Sequence, residues 1–288
     1  MPAALMQAKD YTQLLSGGQP EGRYLYHHIF NDNGFFAKRR LARKFRIVQG
    51  VDAFLDKVLE PDEKVFHVTQ GILNSFFEQM FLGWITNIIN RKAFIFTSKR
   101  LLLVQLKGKE KLGDLKAVIR YAGIKRLTKT WYGLLKIELH NGNAYSFIGV
   151  PKNDQKFMAT TIQGLIEMTA SEASKDGLIN LCPECGAHVE GFPPSCAACG
   201  KPFKSAAKAA WLSLVFPGLG DFYLGHRGLA ALEMVGTALV WLSIFIPDGE
   251  EPLTGLELGV MAAIVLVIVH GLDALVTRHT GRKGIYPA

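Results

Sequence analysis

Four cysteines, and only four, fall in one short stretch: Cys182, Cys185, Cys196 and Cys199, with the spacing C-x2-C-x10-C-x2-C. No other feature restricts the folding of this chain so tightly. Two thiolates on a tight turn fill half of a tetrahedral zinc shell, and a second matched pair fills the other half. Each pair is followed at once by glycine, Gly186 and Gly200. Glycine lets the backbone take positive φ there and turn an amide N–H toward sulfur. A pair of redox C-x-x-C motifs is the competing reading. No βαβ pattern surrounds these cysteines, and their arrival as a matched set favours one Zn2+ per chain. All four shell positions are cysteine, so the expected site is closed and structural, with no open position for a catalytic water.

Residues 181–203 resemble the short zinc ribbons of bacterial membrane and regulatory proteins. What surrounds them is apolar on one side only. The hydrophobic content of 49% is high for a soluble protein, and it comes from the C-terminal third. Two apolar runs, Gly228–Ile246 and Leu258–Val276, each match the length needed to cross a ~30 Å hydrocarbon core. The connector between them is acidic. Lys201, Lys204, Lys208 and Arg227 precede the first run, and Arg278, Arg282 and Lys283 follow the second. The positive-inside rule then places both ends in the cytosol and Asp248–Glu257 outside. Met1 to Gly22 has no apolar h-region, so no secretory signal is expected. Zinc-spaced cysteines fit the same reducing compartment. The expected localisation is the cell inner membrane, multi-pass, with N- and C-termini cytosolic.

A third apolar piece, Trp211–Gly225, is broken by Pro217-Gly218 and reads as a short interfacial or re-entrant helix. The string Pro217-Gly-Leu-Gly220 with Tyr223 and Gly225, and the late Asp273, resemble a family of small bacterial two-transmembrane-helix domains across about residues 206–280. That resemblance implies a topology more than an activity. Glu233, His270 and Asp273 lie inside the apolar runs. Intramembrane ionisable groups are often functional, but those near span ends also snorkel or pair with residues such as Arg227 and Arg278.

Between Pro61 and Ala170 the pattern becomes a series of short strands: Lys64–Gln70, Lys92–Thr97, Arg100–Leu106, Ala117–Tyr121, Ile124–Thr128, Leu134–His140 and Asn143–Ile148. Ser98-Lys99 and Asn141-Gly142 read as hairpin turns. Asp154–Met168 reads as a helix. Glu63-Lys-Val-Phe66, the hairpin around Phe96-Thr-Ser-Lys-Arg-Leu101, and Lys136–Phe147 resemble bacterial PH-like and GRAM-like domains. The resemblance implies a PH-like antiparallel β-barrel with a C-terminal capping helix. Members of that superfold bind phosphoinositides or peptides, and fold does not fix function. Gly71–Asn90 is unusually apolar and reads as buried sheet core rather than a membrane-facing loop.

Ala37–Arg46 carries Lys38, Arg39, Arg40, Arg43, Lys44 and Arg46 on a segment whose Ala37, Leu41, Phe45 and Val48 recur at helical spacing. Anionic lipid headgroups attract such a segment, and so does nucleic-acid phosphate. A solvated helix face that merely packs on the neighbouring domain is the plainer alternative. A second amphipathic stretch, with Val51, Phe54, Leu55, Val58 and Leu59 on one face, runs to Pro61. Tyr26-His27-His28 with Asp32 reads as ordinary surface or core rather than a metal site, since adjacent side chains point apart.

The expected architecture is multidomain. A basic helical region spans 1–60, a PH-like domain 61–170, a zinc ribbon with linkers 171–204, and a two-helix transmembrane domain with a short interfacial helix 205–288. There is no G-x-x-x-x-G-K-[ST], H-E-x-x-H or G-x-S-x-G motif. Ser16–Gly22 is a flexible loop that lacks the lysine of a phosphate cradle. The expected function is therefore a non-enzymatic, membrane-anchored binding or scaffold protein that meets a protein partner or membrane surface. A membrane-tethered nucleic-acid-binding or regulatory protein is the alternative. The ribbon loop Gly186–Ser195 contains no Lys or Arg, which argues against phosphate contact.

Overall fold

The computed structural model describes residues 22–32, 35–75, 79–80, 83, 86–130, 133–168, 174, 176–246 and 254–288. Two compact units divide the chain, residues 1–190 and 191–288. The loop at Ser16–Gly22 (apart from Gly22) and most of the connector Asp248–Glu257 lie outside the described residues.

Among the described residues the first unit is built on a nine-stranded antiparallel sheet. Its strands are β1 (Val65–Leu73), β2 (Arg91–Thr97), β3 (Arg100–Lys107), β4 (Lys111–Arg120), β5 (Ile124–Lys129), β6 (Leu135–Leu139), β7 (Ala144–Ile148), β8 (Ile179–Leu181) and β9 (His188–Val189). They lie in the order β5-β6-β7-β1-β2-β3-β4-β8-β9. The expected closed barrel is instead an open sheet among the described residues. One reason is visible at β4: its outer edge pairs with β8, with Val118 opposite Ile179 and Lys116 opposite Leu181. That edge is thereby taken by the cysteine-bearing segment.

The central strands read as continuous apolar runs because both of their faces are covered. On one face Ala93, Ile95, Leu102, Val104 and Val118 join a core with Leu41, Ile47, Val48, Val51, Phe54 and Leu55 of helix α1 (Ala37–Val58). On the other, Phe94, Phe96, Leu101, Leu103 and Ile119 meet the inner residues of β5–β7 and Met158, Ile162 and Ile166. Those three belong to helix α2, residues 152–168, whose middle turn Met158–Ile162 is a π-helix. The two amphipathic stretches read from the sequence around residues 37–59 are one helix of 22 residues.

The hairpin that carries the PH-like resemblance is tied to the strand before it. Arg100 donates twice to the buried Glu63, Nε at 3.0 Å and one Nη at 2.7 Å, and Thr97 Oγ1 lies 2.6 Å from the same carboxylate. Ser98-Lys99 turns between them, with the Lys99 amide donating to Thr97 Oγ1. The β6–β7 turn is the expected one: Gly142 has φ of +89° and the Asn143 amide donates to Asn141 Oδ1. Of the apolar segment Gly71–Asn90, β1 takes the first residues and Thr86–Ile89 forms a helical turn. Residues 76–78, 81–82 and 84–85 lie outside the described ones.

The second unit holds helices α3 (Ala206–Val215), α4 (Leu219–Leu224), α5 (Arg227–Phe245) and α6 (Gly255–Gly281). Two of them, α5 and α6, are long and apolar enough to cross a membrane. Ser205 caps α3 through the Lys208 amide, and Thr254 with Glu257 forms a capping box at the start of α6. The break at Pro217-Gly218 separates α3 from α4, as the proline predicts.

Candidate metal centre and polar clusters

The Sγ atoms of Cys182, Cys185, Cys196 and Cys199 all lie within 4.8 Å of one another. The backbone shows why. Cys182 donates its amide to the Ala187 carbonyl and accepts from the Gly186 amide. Cys196 donates to the Lys201 carbonyl and accepts from the Gly200 amide. The two pairs are thus the same turn built twice, each ending on a glycine of positive φ, +75° at Gly186 and +73° at Gly200. Four thiolates about 2.3 Å from one ion stand roughly 3.8 Å apart in a tetrahedron. The residues present therefore fit a tetrahedral thiolate site.

The first turn is held from below by residues that its own sequence does not announce. Lys116 Nζ donates to the Pro183 carbonyl at 2.6 Å and lies over the Phe54 ring at 4.5 Å. Burial lowers its pKa from the ordinary lysine value. Lys57 donates to the Glu184 carbonyl. A Cβ on Gly186 would collide with Val58, so this glycine is required by contact as well as by φ. His188 stands on β9, away from the four sulfurs' set.

The basic helix is placed differently from a free arm. Lys44 is 4% exposed and donates to Asp154 at 2.8 Å. Arg40 makes two bonds to Asp32, at 2.7 and 2.9 Å. Arg46 and Arg91 donate to Glu110, with Arg43 Nε 3.6 Å from the same carboxylate. Lys38 and Arg39 are exposed. The six apolar side chains of α1 in the core each contribute roughly 1.5–3 kcal/mol by burial. An anionic surface offers about 1 kcal/mol per basic residue. Burial holds the apolar face of α1 on the sheet, and Lys38, Arg39 and Arg46 stay exposed on the other side. Asp32, engaged by Arg40, forms no metal-ligating group with His27 and His28, which are exposed.

Asp154 is the centre of a buried polar cluster that sequence reading missed. Thr69 Oγ1 donates to it at 2.6 Å, and His67 Nε2 lies 3.1 Å away. Burial pushes the Asp154 carboxyl up, but His67 and Lys44 together hold it well below the usual carboxylate range. Burial, aided by Lys44, lowers the His67 pKa from 6.5 despite the opposing pull of Asp154. Both groups bind fewer protons folded than unfolded, so stability is lost as pH falls. The loss begins below about 6.5 for His67 and below 3.8 for Asp154. Acidification from pH 7 to pH 5 should lower the unfolding midpoint of the sheet unit, and His67→Gln should flatten that slope. Identical slopes for both proteins would remove His67 from this account.

In the second unit the structure joins the separate pieces of the PGLG pattern. Gly218, with φ of +90°, donates its amide to Asp273 Oδ2 at 3.1 Å. A Cβ on Gly220 would collide with the Ala209 carbonyl and press on Ser213 and Thr277. Tyr223 accepts the Ser205 amide and lies under the ammonium groups of Lys204 and Lys208. Carboxyl oxygens of Asp221, Glu233 and Asp273 lie within 4.8 Å of one another. Asp221, four residues beyond Pro217, went unremarked in the sequence. It accepts from Thr277 at 3.0 Å and meets His226 Nδ1 at 2.7 Å. His270 stands apart from this group. Its Nδ1 faces the Leu214 carbonyl at 3.0 Å and its Nε2 accepts from Trp241 at 3.1 Å, which fixes the Nδ1–H tautomer.

No protein-family model and no curated protein matches the chain. Among solved structures it is similar to the C-terminal domain of an unknown protein from Leishmania infantum, at 12% identity and TM-score 0.28, over 41% of this chain and 94% of that one. It is also similar to the N-terminally truncated linker-DH/PH domains of p115-RhoGEF, at 11% identity and TM-score 0.28, over 48% of this chain and 44% of that one. Likenesses at these scores carry no argument about fold or function.

Proposed function

We propose that this protein is a membrane-anchored, non-enzymatic binding or scaffold protein. Its sheet unit is PH-like and cytosolic, its four cysteines hold one structural Zn2+, and α5 and α6 span the inner membrane. The observation that carries the reading is the surface of those two helices. Leu239 is 61% exposed and Val267 74%, and Leu232, Val235, Ile264 and Ile268 are exposed with them. A surface this apolar is costly in water and needs a bilayer or a partner to cover it.

Zinc is the metal this site favours, because four thiolates in tetrahedral spacing leave no position for water or oxygen ligands. The metal supplies a crosslink, and the residues around it supply docking: Lys57 and Lys116 hold the first turn on the sheet unit. The PH-like reading is supported by the run of seven antiparallel strands closed by α2. With α1 committed to the core, attraction to anionic headgroups falls to Lys38 and Arg39, and a protein partner becomes the favoured occupant of the sheet unit.

Topology tests the reading directly. In intact cells a membrane-impermeant thiol reagent should label Gly249→Cys and leave Arg282→Cys unlabelled until the membrane is opened. The reverse pattern overturns the orientation. Recovery of the chain in the soluble fraction without detergent overturns the anchoring.

A further inference from the structure

Helices α3 and α6 of the second unit run antiparallel, with Ser213 bonded to Thr277 and the Leu214 carbonyl to His270. At one end, a Cβ on Gly281 would press on Ala206. The two helices leave a groove of about 380 Å³ on their outer side. Its floor is small: Ala207 and Ala210 from α3, Gly271 and Ala274 from α6. Trp211 and Leu214 stand as one wall and Leu275 as the other. The groove is about 10 Å long, since Gly271 to Arg278 is seven helical rises of about 1.5 Å each. It is apolar along its length and ends at Arg278.

The geometry points to a binding site for one anionic glycerophospholipid, with an acyl chain in the groove and the phosphate headgroup at Arg278. This rests on the membrane reading above. Three observations select that occupant. Among the described residues Arg278 is exposed and has no ion-pair partner, so the groove ends on an uncompensated cation. On α6 the same stripe passes from Gly271, Ala274 and Leu275 to Arg278, and the exposed Arg282 follows at the helix C-cap. The apolar-to-basic change thus runs along the groove axis, as it does along a lipid from chain to headgroup. Trp211, 68% exposed on the wall, places an indole at the depth where such rings meet headgroups. One well-placed basic residue favours an anionic over a neutral headgroup about fivefold.

Native mass spectrometry of the full-length protein in detergent tests the assignment, with phosphatidylglycerol and phosphatidylcholine of identical chains as probes. The wild type should retain phosphatidylglycerol at least fivefold better. Arg278→Gln should reduce that preference to less than twofold, and Arg278→Lys should keep it. Ala210→Phe, which fills the groove, should lower retention of both lipids about fivefold or more. Equal retention of the two lipids by the wild type overturns the proposal, as does a preference that survives Arg278→Gln. A dimer that crosslinks through Ala210→Cys overturns it in favour of a second copy seated in the groove. If the chain needs no detergent to stay in solution, the membrane reading itself has failed. If it does need detergent but shows no lipid preference, only the groove assignment falls.

Discussion

Asp154→Ala should destabilise the sheet unit by about 3–5 kcal/mol, the range for removing one partner of a buried ion pair. Three polar side chains converge on this carboxylate. Lys44 and Thr69 bond to it, and His67 lies 3.1 Å away. Lys44 is 4% exposed and Asp154 2%, so neither can turn to water when the other is removed. Truncating Asp154 leaves a buried ammonium without an anion, and that uncompensated charge dominates the cost. The double substitution Lys44→Met with Asp154→Leu should cost less than Asp154→Ala alone, because two apolar groups of similar size need no partner. Amide hydrogen exchange in β1–β4 of the full-length protein measures both. A loss below about 1 kcal/mol for Asp154→Ala would show that water reaches the pair, and the cluster would lose its structural role.

The purified protein should carry one zinc per chain, and Cys182→Ser with Cys185→Ser should release it. Structural zinc in small domains contributes on the order of 10–16 kcal/mol of apparent binding energy. The segments it organises here are short: β8 has three residues and β9 two. Metal loss should therefore erase hydrogen-exchange protection at Asn180, Leu181 and Val189, while β2 and β3 keep theirs. The sheet would then lose strands from its β4 edge only. Protein prepared without chelator that contains no zinc would refute the assignment, and so would unchanged protection at β8 in the substituted protein.

Local pattern determined much of this chain. The cysteine spacing with its two glycines dictates two identical turns, because thiolate ligands on a C-x2-C turn and a following positive φ are properties of a few adjacent residues. The apolar runs Gly228–Ile246 and Leu258–Val276 show their length directly. The strands β1–β7 were legible because alternation, turn dipeptides and apolar runs are one-dimensional signals. Proline at 217 ends α3 by its own geometry.

Tertiary structure decided which charges meet. Arg40, Arg43, Lys44 and Arg46 read as a basic surface in sequence, yet Asp32, Glu110 and Asp154 engage them from 8, 67, 110 and 64 residues away. No local rule pairs groups so distant. The same holds for Lys116 beneath Pro183, for β8 on the edge of β4, and for Asp221, Glu233 and Asp273 in one cluster. A helix shows its apolar stripe in sequence, but not what covers that stripe. In α1 it is one face of a sheet whose strands are apolar on both sides, because the stripe of Leu41, Ile47, Val48, Val51, Phe54 and Leu55 meets residues far away in the chain.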